Sequence, residues 1–459
     1  MCSSGGPSST SRSDRTCCSR SSASRRAWRW SRAPSTPGCA ECAGPEAPRL
    51  WSRSARLPRV TSVPSLPALP RDVASVVPYA VALRREFHQY PELSWHEVRT
   101  QARIIEELQR LGLDDVRPIA KTGATALVRG RRKEPCLLWR ADIDALPIPE
   151  RSELPFASRH EGVMHACGHD AHAAIALGIA RVLAARAREL PGSVRFVFQP
   201  AEEASGGAEA CIAEGVLDEP RVSRVLGLHI SADIPIGMVN VAPGPFFAAP
   251  TSLRITIEGK GGHAASPHQG IDAVLVAAHV IVALQAVVSR MTSPHEAVVL
   301  TIGKVEAGYR GNVLADRALL SGTIRTYSER VLDRTLANVR QIVAGVCAAF
   351  GATAAVDHRT TCPPLVNDPA AAEAVRREAL AFFGEGRVLA SPSMGADDMA
   401  VFLQQRPGCY FWLGARNEAQ GIAGRHHDPA FVIDEGAIGL GIAFGVRVIE
   451  RALRDLARG

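Results

Sequence analysis

Three kinds of side chain that suit divalent metals recur in short clusters along this chain. Met164-His165-Ala166-Cys167-Gly168-His169-Asp170 sets a thiol between two imidazoles. Asp142 and Asp144 alternate, Glu202 and Glu203 adjoin, His229 sits in Gly227-Leu228-His229-Ile230, and His426 and His427 form a pair. Imidazole, thiolate and carboxylate are ligands of Zn²⁺ and similar ions, and a catalytic centre keeps one position for water. The ion lowers the pKa of that water to about 7, so a neighbouring carboxylate can take its proton near neutral pH. Adjacent carboxylates can divide that work. In an extended segment neighbours point to opposite sides, which lets one bind metal while the other holds the proton. No Ser stands at a strand-to-helix elbow, so a metal site fits better than a nucleophile–base pair.

Singly, each of these residues has a plainer explanation. A lone His169 or His229 is usually a core or surface histidine, and Cys167 alone a small buried hydrophobe. Asp-x-Asp often caps a strand end, and Glu202-Glu203 alone reads as a solvated face. Cys211 reads as packing. His165, His172 and His426 read as neighbours of the cluster or as exposed. The argument for a site rests on where the elements would put these residues together.

Those elements alternate. Helices are expected at Val81–Tyr90, stopped by Pro91, at Glu97–Leu111 and at Ala171–Leu190, the last with Asp170 as N-cap and Pro191-Gly192 as its stop. Short apolar strands are expected at Ala124–Val128, Cys136–Ile143, Val194–Phe198, Val225–Ile230 and Tyr410–Leu413, with a long helix from Glu435. Such alternation predicts an α/β fold, a mainly parallel sheet with helices on both faces. Ligands bind outside the carboxyl ends of such strands. Asp142 and His229 stand near the carboxyl ends of strands, Glu202-Glu203 and the His426-His427 loop follow strands, and the Cys167 loop leads into a helix. A second pattern interrupts the first. Strand Leu253–Glu258, helix Ile271–Arg290, strands Ala297–Val305 and Ala318–Thr326, helix Leu332–Phe350 and strand Ala352–His358 follow the order β-α-β-β-α-β, an inserted ferredoxin-like unit. The expected domains are a basic N-terminal segment (1–70), a catalytic domain in two parts (71–248 and 363–459) and the insertion (249–362).

The chain has 459 residues, 46% hydrophobic and 22% charged, the mix of a globular protein with a substantial core. Its net charge of +7 is unevenly spread. Residues 1–60 carry 11 Arg and no Lys against Asp14, Glu41 and Glu46, and the rest is close to neutral. The basic balance therefore gives no reason to expect nucleic acid as a partner of the body. Residues 1–60 are rich in Ser, Arg and Pro without a hydrophobic period, and disorder is expected there. A transit peptide, a basic tail and upstream sequence joined by a misassigned start compete for this segment. Trp28, Trp30, Trp51 and the local cysteines favour the third, with Val60 as the true start. Eleven scattered Cys do not make a disulfide scaffold and suit a reducing compartment, so a cytoplasmic location is expected. No secretory signal is visible, and Ala273–Val288, the most apolar stretch, is too short to span a bilayer.

The clusters, taken in order, resemble the amidohydrolases of the hippurate hydrolase and auxin-amino-acid-conjugate hydrolase type, in the metallopeptidase clan that includes carboxypeptidase G and aminoacylase. The matching stretches are LRREFHQYPELSWHE (83–97), RADIDALPIPE (140–150), MHACGHDAH (164–172), FQPAEE (198–203), GLHI (227–230), GKGGHAASPHQGIDA (259–273), GTIRTY (322–327), MGADDMAVF (394–402) and HHDPAF (426–431). The resemblance implies two divalent metal ions, of manganese, zinc, cobalt or nickel. Their ligands would be Cys167, His169, Glu203, His229 and His427, with Cys167 bridging. Glu202 would be the general base, passing a proton from water to the leaving amine, and Asp142 would orient the ligands. The insertion would be a lid and dimerisation domain, making a homodimer. His263 would help stabilise the oxyanion, in some relatives from the other subunit, and Asn312 and Arg325 would meet the substrate carboxylate.

The implied reaction is metal-dependent hydrolysis of the amide of N-acyl amino acids, hippurate-like compounds among them. A dipeptidase of the same clan is the nearest alternative. A nucleic-acid-binding protein is supported only by residues 1–60, and no membrane partner is expected. The chain departs from the family pattern at Ala204, where Gly is common, Ala315, where Pro is usual, Asp397, where Glu is common, and Met399, where Phe is common. These bear on the shape of the acyl pocket more than on the reaction.

Overall fold

The computed structural model describes residues 66–458. The expectations for residues 1–65, that of Val60 as a start included, lie outside the described residues. The central sheet has eight strands. Their order is Asp114–Ile119, Gly123–Val128, Ser193–Gln199, Cys136–Asp142, Val222–Pro235, Gly408–Arg416, Val239–Asn240 and Val388–Leu389. The four middle strands, Ser193–Gln199 to Gly408–Arg416, run parallel, and antiparallel pairings flank them. Every residue of Cys136–Asp142 and Ser193–Gln199 is buried. Their near-continuous apolar runs belong to strands covered on both faces. One face packs against the helices Arg71–Gln89, His169–Ala185, Pro369–Phe383 and Gly436–Leu456. The short helices Gly207–Ala213 and Met399–Gln405 cover part of the other.

The insertion is an antiparallel sheet in the order Val298–Ala307, Arg317–Thr326, Ala249–Glu258, Thr353–Thr360. Helices Ala273–Ser289 and Glu329–Ala349 pack on it around Ile255, Val280, Leu284, Leu320, Val339 and Val343. Asp272 caps the first helix by accepting from the amides of Val274 and Leu275. A separate two-stranded ribbon pairs Gly262–His263 with Val313–Leu314. The chain enters and leaves the insertion on adjacent strands, with Thr251 opposite Thr360.

The boundaries differ from the sequence expectations in instructive ways. The first helix is Arg71–Gln89, not Val81–Tyr90, and runs through Pro78. Val73, Val76, Ala80, Leu83 and Phe87 are buried along it, and that apolar stripe outweighs the lost hydrogen bond at the proline. Asp170 is not an N-cap. The helix starts two residues earlier than expected, at His169 after Gly168, whose φ of +94° few other residues tolerate. The Asp170 carboxylate instead accepts from Arg84 Nε and His88 Nδ1, both at 2.8 Å. Strand Asp114–Ile119 and helix Pro369–Phe383 carried no sequence expectation. Among the described residues no helix is long and apolar enough to cross a membrane, and the described cysteines are all free thiols.

Candidate metal centre

Cys167, His169, Glu202, Glu203, His229 and His427 meet at the carboxyl ends of the parallel strands. The ligand atoms of Cys167, His169 and His229 lie within 4.8 Å of one another, and so do those of Cys167, Glu203 and His427. Cys167 Sγ is thus common to two donor sets. His169, Glu202 and Glu203 form a further close group. A cavity of about 550 Å³ opens beside them, with Arg325, Phe247, Trp412 and Asp397 also on its walls.

Each donor is aimed by the backbone around it. Gly168 ends the Cys167 loop and starts the helix that carries His169. His169 Nδ1 gives its hydrogen to Asp144, with the carbonyl at 2.9 Å and Oδ1 at 3.2 Å. His229 Nδ1 gives its hydrogen to the Ile230 carbonyl at 2.6 Å. In both rings Nε2 keeps a free lone pair, since the bond made by one nitrogen fixes the role of the other. His427 has φ +62°, held by its amide bonding the Ala166 carbonyl at 2.8 Å. Left-handed backbone at a non-glycine residue is strain that the surroundings must hold in place.

Glu202 and Glu203 do not sit in an extended segment, as the sequence expectation had it. The strand ends at Gln199, and a turn follows with Ala201 at φ +52° and Ser205 at φ +65°. The Ala201 amide is tied to buried Glu97 Oε1 at 2.8 Å, and the Glu203 amide to Asp144 Oδ2 at 3.0 Å. The turn therefore aims both carboxylates into one cavity. Gly207 permits it, because a Cβ there would lie 1.8 Å from the Pro200 carbonyl oxygen.

Behind the donors lies a buried charged network that the sequence reading left out, apart from Asp142. Arg140 donates to Gln199 Oε1 (2.8 Å), Asp142 Oδ2 (2.6 Å) and Asp398 Oδ1 (2.7 Å), and lies 3.1 Å from Asp397 Oδ1. Burial alone would raise the Asp142 pKa, but Arg140, His169 and His172 hold it well below the ordinary carboxylate value. Burial, with Asp397, Glu203 and Asp398 nearby, pushes Glu202 well above its ordinary value. Burial likewise lifts Asp398 to about 8. The Arg140-x-Asp142 and Asp397-Asp398 spacings were the available signal, but only folding brings them together.

The donor set fits divalent ions. His169 Nε2 is buried without a hydrogen-bond partner, and such an orphaned atom calls for an explanation. His427 Nε2 is 3.1 Å from Glu203 Oε1. Its hydrogen bonds with Cys167 and Glu203 raise its pKa to about 10.

Asp142 lies behind the donors, with Oδ2 3.7 Å from His169 Nε2. Arg325 is partly buried at the cavity wall, and desolvation lowers its pKa. His263 and Asn312 stand elsewhere. They flank one another on the ribbon of the insertion, where the Ala264 amide donates to the Asn312 carbonyl at 3.1 Å, and neither lines the cavity.

Comparison with known proteins agrees with this geometry. Residues 138–451 match the model of peptidase family M20/M25/M40. An N-acetyl-L-cysteine deacetylase of Bacillus subtilis (strain 168) is 41% identical over 360 residues, 78% of this chain and 84% of that protein. An N-acetyldiaminopimelate deacetylase of Exiguobacterium sibiricum is 39% identical over 380 residues, 82% of this chain and 99% of that protein. The crystal structure of Bacillus subtilis YXEP, described as a dinuclear metal-binding peptidase of the M20 family, superposes with a TM-score of 0.71. It is 34% identical and covers 83% of this chain and 99% of that one.

Proposed function

The chain belongs to peptidase family M20/M25/M40, and from that premise we propose that it hydrolyses N-acyl amino acids with two divalent ions. The observation that carries this reading is the sharing of Cys167 Sγ by two donor sets beside a cavity that also holds Glu202 and Arg325. Cys167, His169 and His229 would hold one ion, and Cys167, Glu203 and His427 the other. When bound, the ions supply Lewis acidity toward the amide carbonyl and acidify a water. Glu202 takes that water's proton and delivers it to the leaving amine nitrogen. Asp144 keeps His169 oriented through Nδ1, Asp142 holds His172 behind the donors, and Arg140 neutralises the carboxylates there.

Arg325 supplies the carboxylate preference. No described carboxylate lies within ion-pair distance of it, and a desolvated guanidinium favours a substrate anion held by paired hydrogen bonds. The deacetylase activities of the relatives make small acyl groups the first substrates to try, with hippurate beside them.

The reading includes a homodimer built through the lid. Val274, Leu275, Val282 and Val288 make an exposed apolar face on one lid helix, and the Val298–Ala307 strand leaves one edge of the lid sheet unpaired. A second copy would cover both. Its His263 and Asn312 would then serve this cavity, which accounts for their distance from their own. The test is a hydrolysis panel of N-acetyl, N-benzoyl and dipeptide substrates after chelation and readdition of Mn²⁺, Zn²⁺, Co²⁺ or Ni²⁺. Chelation should abolish cleavage and an added ion restore it. Indifference to chelation would overturn the mechanism, and cleavage of dipeptides alone would overturn the substrate class.

A further inference from the structure

The histidines crowding Cys167 are sorted by what their far nitrogens do. His169 and His229 each give the Nδ1 hydrogen to an acceptor and turn a bare Nε2 inward. His172 and His426 are wired the other way. The Ile230 amide donates to His172 Nε2 at 2.8 Å, and the Ala232 amide donates to His426 Nε2 at 3.1 Å. An amide N–H can only donate, so in both rings Nε2 accepts and the hydrogen sits on Nδ1. His172 gives that hydrogen to Asp142. His426 Nδ1 is 3.7 Å from Cys167 Sγ. A ring nitrogen that presents a hydrogen cannot also present a lone pair, and the other is engaged by the Ala232 amide, so His426 is no ligand although it stands beside one.

We propose that His426 is a positioning residue that donates an N–H···S hydrogen bond to the Cys167 thiolate shared by the two ions. This rests on the dinuclear reading above. The bond holds the sulfur between the two donor sets and draws charge from it, as hydrogen bonds around a metal centre tune the ligands they touch. The strand carrying His229 anchors the ring through Ala232, so the donor comes from a different segment than the sulfur. The Cys167 carbonyl also accepts from this ring and is the competing acceptor.

The test uses the full chain loaded with Co²⁺, whose thiolate charge-transfer band in the near ultraviolet reports the sulfur's electron density. His426→Gln keeps an acceptor for the Ala232 amide and loses the N–H toward sulfur. His426→Asn keeps a donor near the Nδ1 position. His426→Phe removes both. We expect the band to move to longer wavelength in the Gln and Phe variants and to stay near its original position in the Asn variant. Co²⁺ affinity, measured by chelator competition, should fall by about 10-fold or more in Gln and Phe. An unshifted band in folded His426→Gln, as the carbonyl acceptor would give, overturns the proposal. A parent protein that binds Co²⁺ without any thiolate band overturns the dinuclear reading itself, which separates the two failures.

Discussion

Glu202→Gln removes a charge and a proton acceptor while keeping the volume of the side chain. If Glu202 is the general base, kcat should fall by about 10³-fold, within the usual range for such groups, while two ions remain bound. Hydrolysis rates alongside elemental analysis check this, and retention of most turnover would remove Glu202 from the role. Arg325→Ala should raise KM for a carboxylate substrate by about 10- to 100-fold, the worth of a charge-assisted hydrogen bond. It should leave an amide-capped analogue almost unaffected, and equal effects on both would show Arg325 to be structural. At this scale the sequence was informative about which residues gather. Cys167, His169, Glu203, His229 and His427 each sit in a recognisable stretch, and folding joins them. It was silent on the directions of the rings. Whether His229 offers a lone pair and His426 a hydrogen depends on the Ile230 carbonyl and the Ala232 amide, and no spacing of side chains encodes those backbone groups.

Between the first helix and the helix behind the centre lies a buried ionic cluster that couples packing to pH. His88 donates to Asp170 and is 3.1 Å from Glu150, while Arg84 shares Asp170. Burial would lower the His88 pKa, but Asp170 and Glu150 outweigh it and raise it above 6.5. A raised histidine contributes stability that is complete below its unfolded value of about 6.5 and is lost as pH rises through the folded value. His88→Gln should therefore lose a smaller share of its stability than the parent between pH 6 and pH 9. Urea unfolding at both values measures this, and parallel losses would show His88 to be untitrated there. Periodicity read the elements well where pattern and packing agree, as in the lid's β-α-β-β-α-β order. It failed where tertiary contacts decide. The first helix was expected to start at Val81, although its apolar stripe begins at Val73 and continues through Pro78, and Asp170 was read as a cap although Arg84 and His88 claim its carboxylate. The turn at Ala201 had no signal of its own, since Glu97 supplies the bond that holds it.

For the whole molecule, the separation of His263 and Asn312 from the donors of their own chain leads to a complementation test. If the proposed homodimer shares residues between its cavities, His263→Ala and Glu202→Gln, each close to inactive alone, should regain part of the parental activity when unfolded together and refolded as a mixture. Mixed dimers would pair one intact cavity with one intact ribbon. Val282→Lys should lower the mass seen by sedimentation and lower activity with it. No recovery in the mixture, or a fully active monomer, would rule out donation between subunits.

The hand-over between the two sheets has one more consequence. Thr251 and Thr360 face each other across neighbouring strands, and their hydroxyls lie 2.9 Å apart. The chain thus enters and leaves the insertion at one paired position, and a short hairpin loop could bridge the stumps. All five proposed metal donors lie on the retained side of that cut. Such an excised protein should still capture two ions, detectable by calorimetry, yet cleave nothing, because Arg325 and the ribbon leave with the lid. Ion capture and catalysis would then be separable modules, with the chain crossing between them where the two threonines meet.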